Sequence, residues 1–252
     1  MNKSLLLTGG TGKFGKVLVR HFAESGWNVV TTSREQSRLD QLVDGIGAVK
    51  GQVMGIVADL EQPSASRRLV DELTACGIAI THLVNNARSM ETLTVRSDGT
   101  TERDCFVGEF EMDVVVPYEL AMCLARSEHH KLQSVVNIGS IYGEVAPNPA
   151  LYEGTLDRSP IQYGVSKAAL HHLTRELAVR LAPQCVRVNC VAFGGVEGRV
   201  DEAFLERYAQ LVPSRRMLND TEVIGPVEFL LNEVSSAVNG HVLVADGGWS
   251  VW

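Results

Sequence analysis

The sequence has no excess of positive charge. Its 252 residues include 23 Lys and Arg against 30 Asp and Glu, which gives a formal net charge of −7 at pH 7. A negatively charged protein repels the phosphate backbone of nucleic acids and the anionic surface of membranes. We therefore expect neither a nucleic acid nor a membrane as a partner.

Paired cysteines and long apolar runs are also missing. The five cysteines are scattered and include no C-x-x-C pair, so the sequence indicates neither a disulfide framework nor a zinc site. The opening stretch MNKSLLLTGG holds an apolar run too short for a signal peptide or a membrane span. These absences predict reduced thiols, no metal site and a cytoplasmic protein.

The composition is that of an ordinary globular protein, with 45% hydrophobic and 21% charged residues. No Pro/Ser-rich linker and no repeat of 20–50 residues divides the chain. An α/β domain can include roughly 250 residues. We therefore expect one domain over residues 1–252.

Short apolar runs alternate with amphipathic stretches of helical length, which is typical of repeated βα units around a parallel sheet. The predicted strands are Lys3–Thr8, Asn28–Thr32, Gln52–Ala58, His82–Asn85, Ser134–Ile138, Val186–Val191 and Val242–Val244. The predicted helices are Lys13–Ser25, Pro63–Ala75, Asp104–His129, Gln162–Leu181, Glu202–Leu211 and Thr221–Val234. The pattern predicts a Rossmann-type, doubly wound parallel sheet of about seven strands with helices on both faces. Residues 143–161 and 193–215 follow strand ends, where open α/β sheets bind ligands, and are predicted substrate loops.

A glycine-rich turn, TGGTGKFG, follows the first strand and places Gly9, Gly12 and Gly15 before the first helix. Glycines at this point let the backbone approach a pyrophosphate, whose charge is favourable at the free N–H groups of a helix start. The turn predicts a dinucleotide site. A glycine-rich βα turn without a ligand is the alternative.

The residues after the second strand indicate whether the nucleotide is NAD or NADP. A carboxylate at the end of that strand would favour NAD, and the sequence has none there. Ser33 and Arg34 stand there instead, and a guanidinium suits the 2′-phosphate of NADP. Asp59, after the third strand, is placed to reach the adenine amino group or to cap a helix.

Tyr163 and Lys167 lie in the segment YGVSK near the start of a predicted helix, where the i,i+4 spacing puts them on one face. An unperturbed tyrosine has a pKa of about 10, and a nearby ammonium lowers it by favouring the phenolate. The pair therefore predicts an acid–base group. Ser140, at the end of the strand SVVNIGS, is placed to orient a carbonyl or hydroxyl toward Tyr163.

Over essentially the whole chain these residues resemble the short-chain dehydrogenase/reductase family. The matching elements are TGGTGKFG, Asp59, NNA at Asn85–Ala87, Ser140, YGVSK, RVN at Arg187–Asn189 and DGG at Asp246–Gly248. The resemblance implies a nicotinamide oxidoreductase in which Tyr163 is the acid–base group and Ser140 orients the substrate. Lys167 then lowers the tyrosine pKa and holds the nicotinamide ribose. A homotetramer or homodimer is also implied.

The resemblance extends the set of candidate site residues. The catalytic candidates are Ser140, Tyr163, Lys167 and Asp113. The candidates for cofactor binding are Gly9, Thr11, Gly12, Lys13, Phe14, Gly15, Ser33, Arg34, Asp59, Leu60, Asn86, Ala87, Tyr163, Lys167, Gly195 and Val196.

Several positions differ from the common family pattern. Lys13 and Arg88 stand where the family usually has Gly, and Phe193 stands where it usually has Pro. Asp113 aligns with the usual Asn and is implied to anchor the water chain behind Lys167. These changes predict an altered nicotinamide half of the site.

The spacing from Ser140 to Tyr163 is longer than usual in the family, and the extra residues fall in EVAPNPALYEGTLDRSPIQ. Over residues 134–252 the chain resembles the branch found in bacterial clusters that make surface or flagellin sugars, including sialic-acid-like sugars. That resemblance implies a sugar-like substrate whose hydroxyls contact Glu144, Tyr152, Glu153 and Asp157. It also implies a phosphate contact from Arg88, Arg158 or Arg199. Solvated loop charges are the alternative for each.

We therefore predict an oxidoreductase that prefers NADP(H) over NAD(H) and interconverts a secondary alcohol and a ketone on a sugar, sugar phosphate or nucleotide sugar. Two alternatives stay open. One is a sugar epimerase or dehydratase that retains its nucleotide, although the chain lacks the large carboxy-terminal domain of such enzymes. The other is a nucleotide-binding regulatory protein without turnover.

Overall fold

The computed structural model describes residues 3–198 and 200–252. Seven strands form one sheet in the order β3-β2-β1-β4-β5-β6-β7, and every neighbouring pair is parallel. The strands are β1 Ser4–Leu7, β2 Asn28–Ser33, β3 Val53–Val57, β4 His82–Asn85, β5 Ser134–Ser140, β6 Arg187–Phe193 and β7 Val242–Ala245. The predicted doubly wound seven-stranded sheet is confirmed.

Helices cover both faces of the sheet. They are α1 Lys13–Glu24, α2 Gln36–Ile46, α3 Ala65–Ala75, α4 Arg103–Phe110, α5 Val116–Arg126, α6 Ile161–Leu181, α7 Glu202–Leu211 and α8 Ile224–Leu231. The alternation of side chains along β1 explains why two layers form. Leu5 and Leu7 pack into a cluster with residues of α1, α2 and α8, whereas Leu6 packs into another with residues of α3, α5 and α6.

The site is positioned by the order of the strands. Strand β1 lies between β2 and β4, so the chain leaves β1 toward one edge of the sheet and leaves β4 toward the other. A crevice opens at the carboxyl ends of the strands where this direction reverses, and open α/β sheets bind ligands there. The glycine turn after β1 and the NNA segment at the end of β4 meet at this point.

Helix α2 is absent from the sequence prediction, which assigns no helix between Thr32 and Gln52. The segment carries many polar residues, but Leu39, Leu42 and Ile46 are buried at helical spacing. Burial of these three side chains against the sheet stabilises the helix, although the apolar pattern of its sequence is weak.

The predicted helix Asp104–His129 is wrong in its interior and at its end. Its last helical residue is Arg126, and the five residues Glu111–Val115 form a wide π turn between α4 and α5. Pro117 has no N–H to donate to the carbonyl of Asp113, four residues before it, which accounts for the wide turn at this place.

A third apolar cluster joins the loop after β5, helix α7 and the end of the chain. Its buried members are Ile141, Leu151, Tyr208, Val212, Met217 and Trp249. Tyr208 stacks on Trp249 with ring centroids 4.6 Å apart, and the Nε of Arg207 donates to the carbonyl of Leu151 at 3.0 Å. These contacts hold the two predicted substrate loops together beside the crevice.

Candidate active site

A cleft of about 610 Å³ lies at the carboxyl ends of the strands. The predicted site residues that line it are Gly9, Thr11, Gly12, Lys13, Phe14, Ser33, Arg34, Asp59, Leu60, Asn86, Ala87, Ser140, Tyr163, Lys167, Gly195 and Val196. Gly15 and Asp113 do not line the cleft. Gly15 lies against Gly9 and Asp113 contacts Lys167, and both of these partners line it. The structure thus places nearly all sequence-predicted site residues around one opening.

The glycine turn is shaped by close backbone contacts. Gly9 has a φ of +70°, and a Cβ there would lie 2.8 Å from the Cα of Ala87. A Cβ on Gly15 would lie 2.3 Å from the carbonyl oxygen of Gly9, so Gly15 lets α1 approach the turn and stays behind the cleft surface. The start of α1 at Gly12 has no side-chain cap, which leaves N–H groups available to an anion.

Asn86 fixes this turn to the end of β4. Its Nδ2 donates to the carbonyls of Thr8 and Gly9 at 2.9 and 3.1 Å. The backbone N–H groups of Asn86 and Ala87 both donate to the Oγ1 of Thr8 at 3.0 Å. The Asn86 amide therefore holds the scaffold of the site together.

The other end of the cleft is lined by residues after β2. The Thr11 hydroxyl donates to the Ser33 Oγ at 3.1 Å, and Arg34 forms an exposed ion pair with Glu91 at 3.1 Å. Arg38, one turn into α2, also lines this end and contacts Glu35 at 3.0 Å. Sequence reasoning missed Arg38 because it missed α2. The apolar spacing in residues 36–46 was the available signal.

Tyr163 and Lys167 lie on the first two turns of α6, as predicted. The Nζ of Lys167 donates to the Oδ1 of Asp113 at 2.7 Å and to the carbonyl of Ile138 at 3.0 Å. The hydroxyl of Ser166 donates to the Oδ2 of the same aspartate at 2.7 Å. Asp113 therefore contacts Lys167 directly, where the sequence analysis expects it to anchor a water chain.

Burial and charge act in opposite directions on Lys167. Burial lowers the pKa of this ammonium, but the charges of Asp113 and Tyr163 and the hydrogen bond to Asp113 outweigh burial, so the pKa lies above its usual value. Lys167 consequently stays charged. Its Nζ lies 5.8 Å from the centre of the Tyr163 ring.

Ser140 is the last residue of β5, and its side chain is buried at the cleft. Its Oγ accepts a hydrogen bond from the N–H of Tyr142 at 3.2 Å, which leaves the hydroxyl proton free to donate. The hydroxyls of Tyr142 and Tyr152 are 2.8 Å apart. Burial raises the pKa of Tyr142, which keeps this phenol neutral and makes it a poor base.

Three of the departures from the family pattern, Lys13, Arg88 and Phe193, line the cleft. The ring of Phe193 packs edge-on against that of Phe14 with centroids 5.6 Å apart. The guanidinium carbon of Arg88 lies 4.8 Å from the centre of the Tyr163 ring. Beneath this region Glu109 is buried, accepts a hydrogen bond from Thr92 at 2.6 Å, and has a pKa raised by burial.

Of the four residues expected to contact sugar hydroxyls, only Tyr152 lines the cleft. Glu144 contacts the Nδ1 of the buried His171 at 2.8 Å, and Glu153 contacts Arg207 and Arg158 at 3.5 and 3.6 Å. Glu144, Glu153 and Asp157 therefore do not line the cleft, and the first two are held in ion pairs. Arg158 is also outside the cleft, and Arg199 lies outside the described residues.

The substrate end of the cleft is largely aromatic and apolar. Sequence reasoning did not single out four of its lining residues, which are Leu151, Phe204, Tyr208 and Met217. They come from the loop after β5 and from the chain around α7, which the third apolar cluster brings together. The sequence signal was only the position of these segments after strand ends.

The comparison with protein families identifies the chain. A family model described as "Enoyl-(Acyl carrier protein) reductase" matches residues 13–250. The human protein named dehydrogenase/reductase SDR family member 4 is 31% identical over 256 residues, covering 98% of this chain and 87% of the human protein. The chain belongs to the short-chain dehydrogenase/reductase family. It is therefore an NAD(P)-dependent oxidoreductase, and the resemblance inferred from the sequence is confirmed.

Two further relatives of this short-chain dehydrogenase/reductase are bacterial proteins. The uncharacterized oxidoreductase YmfI of Bacillus subtilis is 27% identical over 258 residues, covering 99% of both chains. The post-translational flagellin modification protein A of Campylobacter coli is 37% identical over 118 residues, which cover 47% of this chain and 46% of that protein.

Solved structures of the family share the fold. A short-chain dehydrogenase/reductase from Mycobacterium marinum has a TM-score of 0.86 at 27% identity, covering 98% of this chain and 95% of that one. A short-chain dehydrogenase from Leptospira borgpetersenii, solved with bound NAD+, has a TM-score of 0.83 at 25% identity, covering 99% and 93%.

In residues 3–198 and 200–252, no group of three or more His, Cys, Asp or Glu side chains is placed to hold a metal ion. No helix in those ranges combines the length and the apolar character that a membrane crossing needs.

Proposed function

We propose that this enzyme uses NADP(H) to interconvert a secondary alcohol and a ketone on a sugar-like substrate. The observation that carries the proposal is the grouping of Ser140, Tyr163 and Lys167 at one end of a cleft whose other end is the glycine turn with Arg34 and Arg38. A reacting group and a dinucleotide can therefore occupy the same opening.

Each catalytic residue has a role that follows from its contacts. Tyr163 takes the proton from the substrate hydroxyl in oxidation and returns it to the carbonyl oxygen in reduction. Ser140 donates a hydrogen bond from its hydroxyl to the same oxygen and orients it. The buried, charged Lys167 stabilises the phenolate form of Tyr163, and Asp113 holds Lys167 in place. When bound, a nicotinamide cofactor would supply the hydride chemistry of the reaction.

The chain's own residues fit a phosphorylated dinucleotide. The uncapped start of α1 suits the pyrophosphate, and Ser33, Arg34 and Arg38 suit a 2′-phosphate. Arg34 is paired with Glu91, but both side chains are exposed, and an exposed ion pair contributes only about 0–1 kcal/mol. A doubly charged phosphate can therefore displace Glu91.

The sugar-like substrate is supported by two observations. The hydroxyls of Tyr142 and Tyr152 lie at the cleft beside aromatic rings, and amphipathic aromatic side chains combine an apolar face with a polar group. The partial match to the post-translational flagellin modification protein A of Campylobacter coli fits the resemblance to the flagellin-sugar branch that the sequence carries.

We further propose a cytoplasmic homo-oligomer, a tetramer or a dimer. All five cysteines are free, as expected in a reducing compartment. Val251 and Trp252, next to the last strand, are 74% and 76% exposed, which suits a contact between copies.

The test is a turnover screen. Purified enzyme with NADP+ or NADPH is incubated with sugars, sugar phosphates and nucleotide-linked amino sugars, and the absorbance of reduced nicotinamide is followed. We expect net oxidation or reduction that the Tyr163→Phe variant loses. A retained nucleotide that regenerates itself during turnover would instead identify an epimerase, and binding without conversion would identify a regulatory protein.

A further inference from the structure

The positive side chains of the cleft differ in whether they have a carboxylate partner. Among residues 3–198 and 200–252, five Lys or Arg side chains line it: Lys13, Arg34, Arg38, Arg88 and Lys167. Four are paired, with N to O distances of 3.0 Å for Lys13–Asp220, 3.1 Å for Arg34–Glu91, 3.0 Å for Arg38–Glu35 and 2.7 Å for Lys167–Asp113. Arg88 has no carboxylate within 4.0 Å in the part of the chain that the structure describes. It is therefore the cation of this set that has no carboxylate to displace before a ligand binds.

Arg88 lies at the reacting end of the cleft. Its guanidinium carbon is 4.8 Å from the centre of the Tyr163 ring, whereas Arg34 and Arg38 lie at the end formed by β2 and α2. The backbone just before it is fixed, because the N–H groups of Asn86 and Ala87 both donate to Thr8. The guanidinium thus extends from a rigid strand end toward the acid–base residue.

The surroundings of Arg88 do not cancel its charge. The ion pair between Lys167 and Asp113 is close to neutral as a unit. Glu109 is a buried acid whose carboxylate accepts a hydrogen bond from Thr92, and burial raises its pKa more than the charge of Arg88 lowers it. Arg88 is exposed at the cleft, and a guanidinium binds carboxylate or phosphate groups with two parallel hydrogen bonds.

We propose that Arg88 binds an anionic substituent of the substrate, a carboxylate or a phosphate, close to the carbon that exchanges hydride. The inference rests on the proposed function and narrows its substrate to an acidic or phosphorylated sugar-like compound. The cofactor phosphates are not the partner of Arg88, because the glycine turn and the residues after β2 serve them at the other end of the cleft.

The first experiment measures anion binding without turnover. Malonate and inorganic phosphate are titrated by calorimetry into enzyme saturated with NADP+, at constant ionic strength. We expect Arg88→Gln to weaken anion binding by roughly 10- to 100-fold, the contribution of a charged hydrogen-bonded contact. Arg88→Lys should retain part of the affinity. The matched control is Arg158→Gln, an exposed arginine outside the cleft, which should bind the anions as the wild type does.

The second experiment compares matched ketones, acetoacetate with methyl acetoacetate and fructose 6-phosphate with fructose. The ratio of kcat/KM for the anionic and neutral member of each pair is compared between wild type and Arg88→Gln. An effect of Arg88 on Tyr163 changes both members alike and cancels in the ratio. We expect the wild type to prefer an anionic member and the variant to lose that preference.

The outcomes separate the two proposals. Wild-type and Arg88→Gln enzymes with equal anion affinity, or a wild type that binds no anion, would overturn the assignment of Arg88. A fall in NADP+ affinity in Arg88→Gln as large as the fall in anion affinity would place Arg88 in the cofactor site and also overturn it. Turnover of neutral ketones without anion preference leaves the proposed function standing. Anion binding through Arg88 without hydride transfer to any ketone supports the anion site and contradicts the proposed function.

Discussion

The Nζ of Lys167 lies 2.7 Å from the Oδ1 of Asp113, and both side chains are almost fully buried, at 7% and 3% exposure. Removing two charges from water is costly, and their attraction offsets that cost only when the remaining hydrogen bonds are satisfied. Here they are, because Ser166 donates to the second oxygen of Asp113 and Lys167 also donates to the carbonyl of Ile138. The pair fixes the position of the ammonium beside Tyr163.

We expect Asp113→Asn to shift the pH dependence of alcohol oxidation downward. The amide oxygen still accepts a hydrogen bond, but the charge of Lys167 is no longer cancelled and favours the tyrosinate more strongly. The pH at which oxidation reaches half its maximum rate should fall by about one unit. A pH–rate profile measures this, and a shift to higher pH would contradict the assigned role. Asp113→Ala should instead destabilise the protein by about 3–5 kcal/mol, since it leaves a buried charge without a partner.

We expect Tyr163→Phe to lower kcat by about 10²- to 10⁴-fold, the usual contribution of a positioned acid–base group. NADP binding should stay close to that of the wild type, because the hydroxyl is not part of the fold's core. Stopped-flow or steady-state kinetics with calorimetry separate the two effects. Tyr118→Phe on the exposed face of α5 is the matched control. Full activity in Tyr163→Phe would move the proton transfer to another residue.

We expect Arg34→Ala to remove most of the preference for NADP over NAD. A charged hydrogen bond to the 2′-phosphate contributes about 1.5–3 kcal/mol, or roughly 10- to 100-fold in affinity. The affinity for NAD should change little, since NAD lacks that phosphate. Calorimetry with both nucleotides checks this, with Arg67→Ala on α3 as the control. Tighter binding of NAD than of NADP by the wild type would refute the preference itself.

We expect the free energy of unfolding to fall in mild acid because of the buried His82. Burial, together with the nearby charges of Lys3 and Arg187, lowers its pKa from 6.5 to about 4. The folded state therefore binds the proton less well than the unfolded state, and the contribution of His82 to stability is present above pH 6.5 and falls as the pH approaches 4. The loss amounts to on the order of 2–3 kcal/mol.

Urea unfolding between pH 4 and pH 7.5 tests the role of His82. His82→Gln should flatten the dependence of the unfolding free energy on pH. The control is His172→Gln, because the His172 side chain is 72% exposed and has little burial to lose. Parallel profiles for wild type and His82→Gln would show that other groups control acid unfolding.

We expect Leu151→Ala to affect substrate binding and stability together. Leu151 is 1% exposed and packs with Tyr208 and Trp249, so its truncation leaves a cavity that costs about 2–5 kcal/mol. KM for the substrate should rise because the loop after β5 is less firmly held, while NADP affinity should persist. Leu156→Ala in the same loop, 40% exposed, is the control. If the Leu151→Ala variant is destabilised but its KM is unchanged, the loop has a structural role only.

Most of the fold follows from local sequence patterns. The seven strands, the glycine turn and the placement of Tyr163 and Lys167 one helical turn apart depend on residues near one another in the chain, so periodicity and turn residues predict them. The ends of helices and strands differ more from the prediction than their positions do. Strand β5, for example, extends two residues past its predicted end to include Ser140.

The family, the parallel sheet and the end of the sheet where the site lies all follow from the amino-acid sequence. The pairing of charges in that site depends on the tertiary structure. Asp113 and Lys167 are 54 positions apart, and Glu144 meets His171 across the substrate loop. No periodic pattern encodes such contacts, because they depend on how helices and loops pack over the sheet. The same packing pairs four cations of the cleft and leaves Arg88 facing Tyr163.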